Sequence, residues 1–177
     1  MSDELERCGS IVSGLLSFSR EHPLEYTDLN LNDILEAVIA LTQHKMELQG
    51  VSLTTDLSEN ILSIWGDDNQ LQQCFLNLIF NAMEAMLPGG ELNIISRINE
   101  EKTSVVVEIR DTGYGIPSKN LDHIYDPFFT TKDIGEGTGL GLSIVYGVVK
   151  DHNGRIEVKS EEGEGTTFVL HLGLAQK

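Results

Sequence analysis

The sequence predicts an α+β fold, a two-layer sandwich in which three main helices cover one face of a mixed, mostly antiparallel sheet of about five strands. Two observations favour this class. Helical and strand patterns alternate along the chain, and two pairs of strand patterns are separated by short turn-like segments typical of hairpins. Hairpins pair antiparallel strands, whereas alternation with helices brings crossover connections, so both kinds of pairing are expected in one sheet.

Composition limits the classes of function. The 177 residues suit a single globular domain, and 40% hydrophobic with 23% charged residues is typical of a soluble protein. A formal net charge of -16 argues against nucleic acid or an anionic membrane as partner, although backbone amides and a divalent cation can still bind a polyanion. Cys8 and Cys74 form neither a zinc nor a disulfide pattern, which favours a reducing, cytoplasmic setting. No apolar run or signal pattern predicts a membrane segment in this chain.

The N-terminal third predicts a helix, a linker, a second helix and two strands. Residues 4–20 carry a heptad-like stripe of Leu5, Cys8, Val12 and Leu15, which predicts a helix that packs on a partner helix. Residues 21–27 are interpreted as a linker. The next helix is "LNDILEAVIALTQHKMELQG", with Gly50 as its stop signal, and the strands are "VSLTTDL" and "ILSIWG".

The remaining elements complete the sandwich. A buried helix opens at Asp67, with Gln70 three residues later in a capping pattern, and ends before "PGGE". The strands "ELNIISRI" and "SVVVEIRD" predict the first hairpin. Residues 112–141 are mostly irregular, a length that favours a functional loop. A helix over 142–152, stopped by Gly154, leads to the hairpin "RIEVKS" and "TTFVLHL".

Three polar side chains interrupt the buried helix. Asn77, Asn81 and Glu84 share one helical face at positions i, i+4 and i+7. Such groups need partners, because an unsatisfied buried polar group costs about 1–3 kcal/mol. They either cap neighbouring loops or bind a magnesium ion or a phosphate, for which their oxygens are suitable ligands.

The stretch "DTGYGIP" follows directly after a strand. Asp111 ends that strand, and Gly113 and Gly115 are expected to leave room beside its carboxylate for a flat ligand. A carboxylate there can accept a hydrogen bond from an exocyclic amine, as an adenine site requires. An ordinary turn is the alternative reading.

The stretch "GEGTGLGLS" carries glycine at alternate positions and runs into a helical segment. Glycine lets backbone amides approach an anion, and a helix N-terminus offers unpaired N–H donors. The Walker and dinucleotide patterns are both absent from these glycines. The stretch is therefore either another kind of phosphate loop or a flexible connection.

The order of these motifs resembles the ATP-binding catalytic domain of sensor histidine kinases, in the superfamily shared with gyrase, the heat-shock chaperone ATPase and MutL. "NLIFNAMEAM" resembles the N box, "DTGYGIP", "GTGLGLSIV" and "GEGTTF" the three glycine boxes, and "YDPFFTTK" the F box. The wording of "NAMEAM" and "DPFFTTK" is most similar to the nitrogen-regulatory type. The resemblance implies a Bergerat-type ATP-binding fold over residues 28–177, preceded by the end of a second dimerisation helix over 1–20 and the linker.

The resemblance also implies roles for individual residues. Asn81 would coordinate Mg²⁺, with Asn77 supporting the phosphates and Lys132 approaching them from the lid. Asp111 would hold the adenine amine, helped by Gly115 and Thr166, and Ile116 would line the base pocket. The rest of the expected nucleotide-binding set is Gly113, Gly137, Thr138, Gly139, Leu140 and Gly141.

Position 77 separates a kinase from a hydrolase within this superfamily. The gyrase-type enzymes carry a glutamate there to activate water, and Asn77 cannot act as a general base. The expected reaction is therefore transfer of the γ-phosphoryl group of ATP to a histidine. A hydrolysing or serine-directed member of the superfamily and a non-catalytic nucleotide-binding scaffold are the alternatives.

The acceptor histidine of the family lies in an earlier helix and is followed by an acidic and then an apolar residue. None of the chain's five histidines fits that pattern, and they are interpreted as surface or loop residues: His22, His44, His123, His152 and His171. We therefore expect a fragment of a larger kinase that does not phosphorylate itself. Its expected partners are the acceptor and dimerisation helices, a response regulator and, in the full-length protein, a second copy.

Overall fold

A computed structural model describes residues 25–61, 63–132 and 137–175. The helix predicted over residues 4–20 lies outside these ranges. Among the residues that the structure describes, no helix is both long enough and apolar enough to cross a membrane.

The main sheet consists of five strands, β2 (Val51–Leu57), β4 (Gly90–Ile98), β5 (Ser104–Asp111), β6 (Arg155–Glu161) and β7 (Gly165–Gly173). Their spatial order is β2-β4-β5-β7-β6. The strands β2 and β4 pair in parallel, and the other three neighbouring pairs are antiparallel. This confirms the predicted mixed sheet and both predicted hairpins.

Three helices pack on one face of this sheet, as predicted: α1 (Leu31–Gln49), α2 (Asp68–Ala85) and α3 (Gly141–Asp151). Helix α1 ends where Gly50 adopts the left-handed conformation, with φ of 71°. Helix α2 begins where the Asp67 carboxylate accepts a hydrogen bond from the backbone N–H of Gln70 at 2.9 Å. The core lies between helices and sheet and has α2 at its centre, since Phe75 and Ile79 are fully buried.

A small second sheet corrects the predicted linker. Strand β1 (Tyr26–Leu29) pairs antiparallel with β3 (Ile64–Asp67), so the interpretation of residues 21–27 as a linker is wrong for Tyr26 and Thr27. The backbone N–H of Glu25 also donates to the Asp67 carboxylate at 2.9 Å. A four-residue strand whose partner lies nearly forty residues away leaves no local pattern in the sequence.

His152 is a second correction, because it is buried rather than a surface or loop residue. Its Nε2 accepts a hydrogen bond from the Asp67 backbone N–H at 3.0 Å, and its Nδ1 lies 2.7 Å from the Val148 carbonyl oxygen. Its ring also stacks on Tyr26, with centroids 5.1 Å apart. His152 therefore joins the end of α3 to the small sheet and to the start of α2.

Candidate functional site

One cavity brings most of the predicted site residues together. It measures about 400 Å³ and lies between α2, the long loop after β5 and the start of α3, a size that suits a small organic ligand. Gly113 and Leu140 are not part of its wall. The predicted residues that do line it are Asn77, Asn81, Asp111, Gly115, Ile116, Lys132, Gly137, Thr138, Gly139, Gly141 and Thr166.

Asp111 is a buried carboxylate at one end of the cavity. Its Oδ1 accepts hydrogen bonds from the backbone N–H groups of Gly113 at 2.8 Å and Thr166 at 3.2 Å. Burial raises the pKa of Asp111 above its usual value, and the two hydrogen bonds oppose that shift. Because both bonds use Oδ1, the second carboxylate oxygen keeps its acceptor capacity for a ligand.

The glycines of "DTGYGIP" serve chain packing rather than leaving open space. A Cβ atom on Gly113 would lie 2.6 Å from the Ala85 side chain, and one on Gly115 would lie 2.0 Å from the Glu161 carbonyl oxygen. Gly115 also has a φ of 70°, which favours glycine. These contacts hold the Asp111 loop against α2 and against the turn between β6 and β7.

Ser160 organises this end of the cavity and was not predicted. Its hydroxyl accepts a hydrogen bond from the Ile116 backbone N–H at 2.8 Å and contacts the Thr166 hydroxyl at 2.9 Å. It also donates to the Gly165 carbonyl oxygen at 2.9 Å. In the sequence Ser160 is one polar residue near the end of an alternating strand, and no local signal distinguishes it.

The N-terminus of α3 faces the asparagine pair of α2 at the other end of the cavity. A Cβ atom on Gly141 would have as its nearest neighbours the side-chain amides of Asn77 and Asn81, at 3.7 and 3.8 Å. Leu140 occupies the N-cap position and makes no side-chain capping bond. The first N–H groups of α3 and its dipole are thus available to an anion at this point.

Asn77 has an unsatisfied group in this region. Its side-chain Nδ2 is buried and has no hydrogen-bond partner among the described residues. An orphaned buried donor is costly, and a ligand oxygen would satisfy it.

Glu84, the third member of the polar face, forms an ion pair with Lys132 of the loop. This ion pair agrees with the first alternative stated for the polar face, in which Glu84 pairs with a neighbouring loop.

Gly139 lets the loop fold back on itself, since a Cβ atom there would lie 2.4 Å from the Phe128 backbone. Phe128 itself has a φ of 68°, which is unusual for an aromatic residue, and its side chain is 63% exposed.

The side chains available as metal ligands limit how a metal ion could bind in the cavity. Within the part of the chain that the structure describes, no three His, Cys, Asp or Glu side chains cluster as a metal site. Mg²⁺ prefers oxygen ligands and keeps several waters, often sharing a substrate's phosphate groups. The side-chain carbonyls of Asn77 and Asn81 fit that mode, in which phosphate and water supply most ligands.

Several lining residues were missed by the sequence prediction. Lys45 of α1 and Phe80 of α2 line the cavity, with the lysine Nζ 4.6 Å from the phenyl centroid. Apolar residues from three separate segments also line the cavity, namely Ile124, Phe129 and Phe168. Phe129 lies in the "YDPFFTTK" stretch but was not given a site role, and Ile124 and Phe168 resemble ordinary core residues in the sequence.

Comparison with known proteins gives this arrangement a family. The family model described as histidine kinase-, DNA gyrase B- and HSP90-like ATPase matches residues 66–176. The chain belongs to this family. The match confirms the superfamily recognised from the order of the motifs.

The relatives are sensor kinases. Sporulation kinase A of Bacillus subtilis is 40% identical over 168 residues, which are 94% of this chain and 27% of that protein. The chain spans between 19% and 39% of the length of the first curated relatives it matches. The chain is thus homologous to one part of these kinases.

Solved structures agree with the fold. The nucleotide-free catalytic domain of histidine kinase ThkA superposes with a TM-score of 0.75 at 32% identity, covering 84% of this chain and 95% of ThkA's domain. ThkA in complex with the response regulator TrrA superposes with a TM-score of 0.80 at 30% identity, covering 98% of this chain and 49% of that one.

Proposed function

We propose that this domain binds ATP with Mg²⁺ and transfers the γ-phosphoryl group to a histidine on the dimerisation and phosphoacceptor helices of a two-component sensor kinase. The observation that carries the proposal is the cavity itself. A buried carboxylate with a free acceptor oxygen lies at one end, and an uncapped helix N-terminus facing two asparagine amides lies at the other. An adenine nucleotide has the matching groups at its two ends.

Asp111 recognises the base in this proposal. Its free oxygen accepts a hydrogen bond from the exocyclic amine of adenine, while the Thr166 hydroxyl and the Gly115 backbone complete the polar contacts. Ile116 and its apolar neighbours pack on the base. The Ser160 hydroxyl holds the Ile116 loop and Thr166 in fixed positions relative to each other, because it is hydrogen-bonded to both.

The phosphates lie between α3 and α2. The amides around Gly139, Leu140 and Gly141 donate to them, as helix N-termini do for anions. Asn81 offers an oxygen to Mg²⁺, and the orphaned Asn77 Nδ2 donates to a phosphate oxygen. Bound there with the nucleotide, Mg²⁺ neutralises charge on the phosphates and on the developing transition state.

The transfer step requires an acceptor and no base. A neutral imidazole nitrogen attacks the γ-phosphorus, a P–N bond forms, and the bond to the bridging oxygen breaks to release ADP. The imidazole then loses its ring proton to solvent. Asn77 stands where a hydrolase of this superfamily carries its glutamate, so activation of water is weak and ATP is retained for the acceptor.

The acceptor belongs to another helix in this proposal. His152 is excluded as an acceptor because both ring nitrogens are occupied inside the fold. A response regulator then takes the phosphoryl group, as expected for the nitrogen-regulatory type that "NAMEAM" and "DPFFTTK" suggest. In this proposal the domain works in the cytoplasm as part of a homodimeric kinase.

The test is phosphoryl transfer in trans. The domain is incubated with γ-labelled ATP, Mg²⁺ and a separately purified acceptor-helix domain from a related sensor kinase. We expect acid-labile, base-stable label on the acceptor histidine, and little or none on it when Asn81→Ala, which removes the oxygen proposed for Mg²⁺, replaces the wild-type domain. Release of inorganic phosphate without labelled acceptor would favour the hydrolysing member, and acid-stable label would favour the serine-directed one. Binding of ATP with neither product would favour the scaffold.

A further inference from the structure

Lys45 lines the cavity from α1, whereas Lys132 lines it from the long loop after β5. Lys45 lies on α1, whose C-terminal half runs beside α2, and its ammonium group rests 4.6 Å from the ring centroid of Phe80. Phe80 follows Asn77 by three residues and precedes Glu84 by four, so it shares their face of α2. Lys45 therefore stands beside the polar face that borders the cavity.

The position of Phe80 along α2 separates Lys45 from the base end of the cavity. The Asp111 loop packs against Ala85, at the end of α2, through the close contact of Gly113. Asn77 and Asn81, which flank Phe80, face the N-terminus of α3. Lys45 is thus level with the asparagine pair and the helix N-terminus, where phosphates are expected.

The charged side chains that the structure describes in the cavity wall leave one lysine ammonium group without an ion-pair partner. Among the described residues that line the cavity, the carboxylates are Glu84 and Asp111, and the basic groups are Lys45 and Lys132. Lys132 is already paired with Glu84, whereas Lys45 forms no ion pair with any described carboxylate. An incoming triphosphate carries about four negative charges, so an uncompensated ammonium group at this wall is attracted to it.

The aromatic contact does not prevent Lys45 from turning to a phosphate. A cation over an aromatic ring at an exposed site gains only about 0.5–1 kcal/mol. A charge-assisted hydrogen bond to a phosphate oxygen is stronger, and the four-carbon stem allows the ammonium group to move while its methylene groups stay on Phe80.

We propose that Lys45 binds the terminal phosphate of ATP and favours ATP over ADP. This inference rests on the proposed function, because it assigns a further residue to the same nucleotide site. The terminal phosphate is the one furthest from the base, and Lys45 lines the cavity from α1 at the level of the asparagine pair and the N-terminus of α3.

The experiment compares Lys45→Met with a matched control. Methionine keeps an apolar stem on Phe80 and removes the charge. Lys150→Met is the control, since Lys150 also rests over an aromatic ring, 5.4 Å from Tyr146, and does not line the cavity. Affinities for ATP and ADP are measured with Mg²⁺ by calorimetry on each variant.

We expect Lys45→Met to weaken ATP binding about fivefold and to leave ADP binding within about twofold of wild type. Lys45→Arg should restore the preference for ATP, and Lys150→Met should change neither affinity. Equal weakening of both nucleotides, or no change in either, would overturn the role of Lys45 while leaving the nucleotide site intact. A wild-type domain that binds neither nucleotide would instead refute the proposed function.

Discussion

At the scale of the residue, Asp111 combines a binding role with a cost in stability. Burial raises the pKa of its carboxyl group, so the folded protein holds the proton to higher pH than the unfolded chain does. Ionisation of Asp111 therefore lowers the free energy of unfolding as pH rises from the ordinary Asp pKa through the raised one.

We expect Asp111→Asn to remove this cost. The asparagine oxygen can still accept the hydrogen bonds from Gly113 and Thr166, and no charge is buried. Urea unfolding of both proteins at several pH values should show little difference at about pH 3 and a growing advantage of the variant as pH rises, which becomes constant once the pH exceeds the raised pKa of Asp111. An advantage that does not depend on pH would contradict the assignment of the effect to ionisation.

The site residues that the sequence predicted lie in motifs whose order along the chain resembles that of sensor histidine kinases. Asp111, Asn77 and Asn81 were identified with the neighbours that line the cavity. Ser160 and His152 were not, because their importance depends on partners 44 and 85 positions away that no local pattern announces. Gly113 was predicted to leave room for a ligand, whereas in the structure it packs on α2 and does not line the cavity.

At the scale of the element, a substitution at the start of α3 can distinguish an effect on stability from an effect on nucleotide binding. Gly141 begins this helix, and a methyl group there would clash with nothing, because its nearest neighbours lie 3.7 Å away. Alanine also favours helix over glycine, by up to about 1 kcal/mol at interior positions. The same methyl group would fill the space between the helix N-terminus and the asparagine pair.

We therefore expect Gly141→Ala to keep or slightly raise the thermal midpoint and to weaken ATP binding at least about tenfold. Gly147→Ala is the matched control, because Gly147 lies in the same helix with no heavy atom near its added Cβ. It should raise stability by about 1 kcal/mol and leave binding unchanged. Thermal unfolding and calorimetry on both variants check this, and intact ATP affinity in Gly141→Ala would remove α3 from the phosphate site.

The small sheet depends on His152 for its attachment to α3. Replacing His152 with Ala leaves the Asp67 backbone N–H unpaired at the start of α2 and opens a cavity beside Tyr26. We expect a loss of about 2–4 kcal/mol in the free energy of unfolding. His44→Ala, at an exposed position of α1, should change it by less than about 0.5 kcal/mol. Equal effects in denaturant unfolding would mean that the buried histidine contributes no more than an exposed one.

Helices were predicted correctly where the hydrophobic periodicity and the capping residue both lie within the local sequence. Helix α1 stops at Gly50 and α2 starts at the Asp67 cap as the sequence indicated, and α3 begins one residue earlier than predicted. Strand β1 was missed because it has four residues and gains its structure from pairing with β3. Alternation of elements and the two hairpins predicted a mixed sheet with helices on one face, but the strand order depends on nonlocal pairing and was not predicted.

At the scale of the whole molecule, the fold places a phosphate site in a strongly acidic protein. With a formal net charge of -16, long-range electrostatics oppose a nucleotide. Binding must therefore depend on local groups, namely the amides at the start of α3, the asparagine pair, Lys45 and a divalent cation. Nucleotide affinity should accordingly rise with Mg²⁺.

Calorimetric titration of the domain with ADP, with and without Mg²⁺, on wild type and on Asp111→Ala, tests the central claim most directly. The account predicts binding by wild type that strengthens with Mg²⁺, and a loss of at least about tenfold in Asp111→Ala, because the adenine amine loses a charged acceptor. An Asp111→Ala domain that is folded and binds ADP like wild type would contradict the placement of the base, and a folded wild-type domain that binds no ADP would contradict the nucleotide site itself.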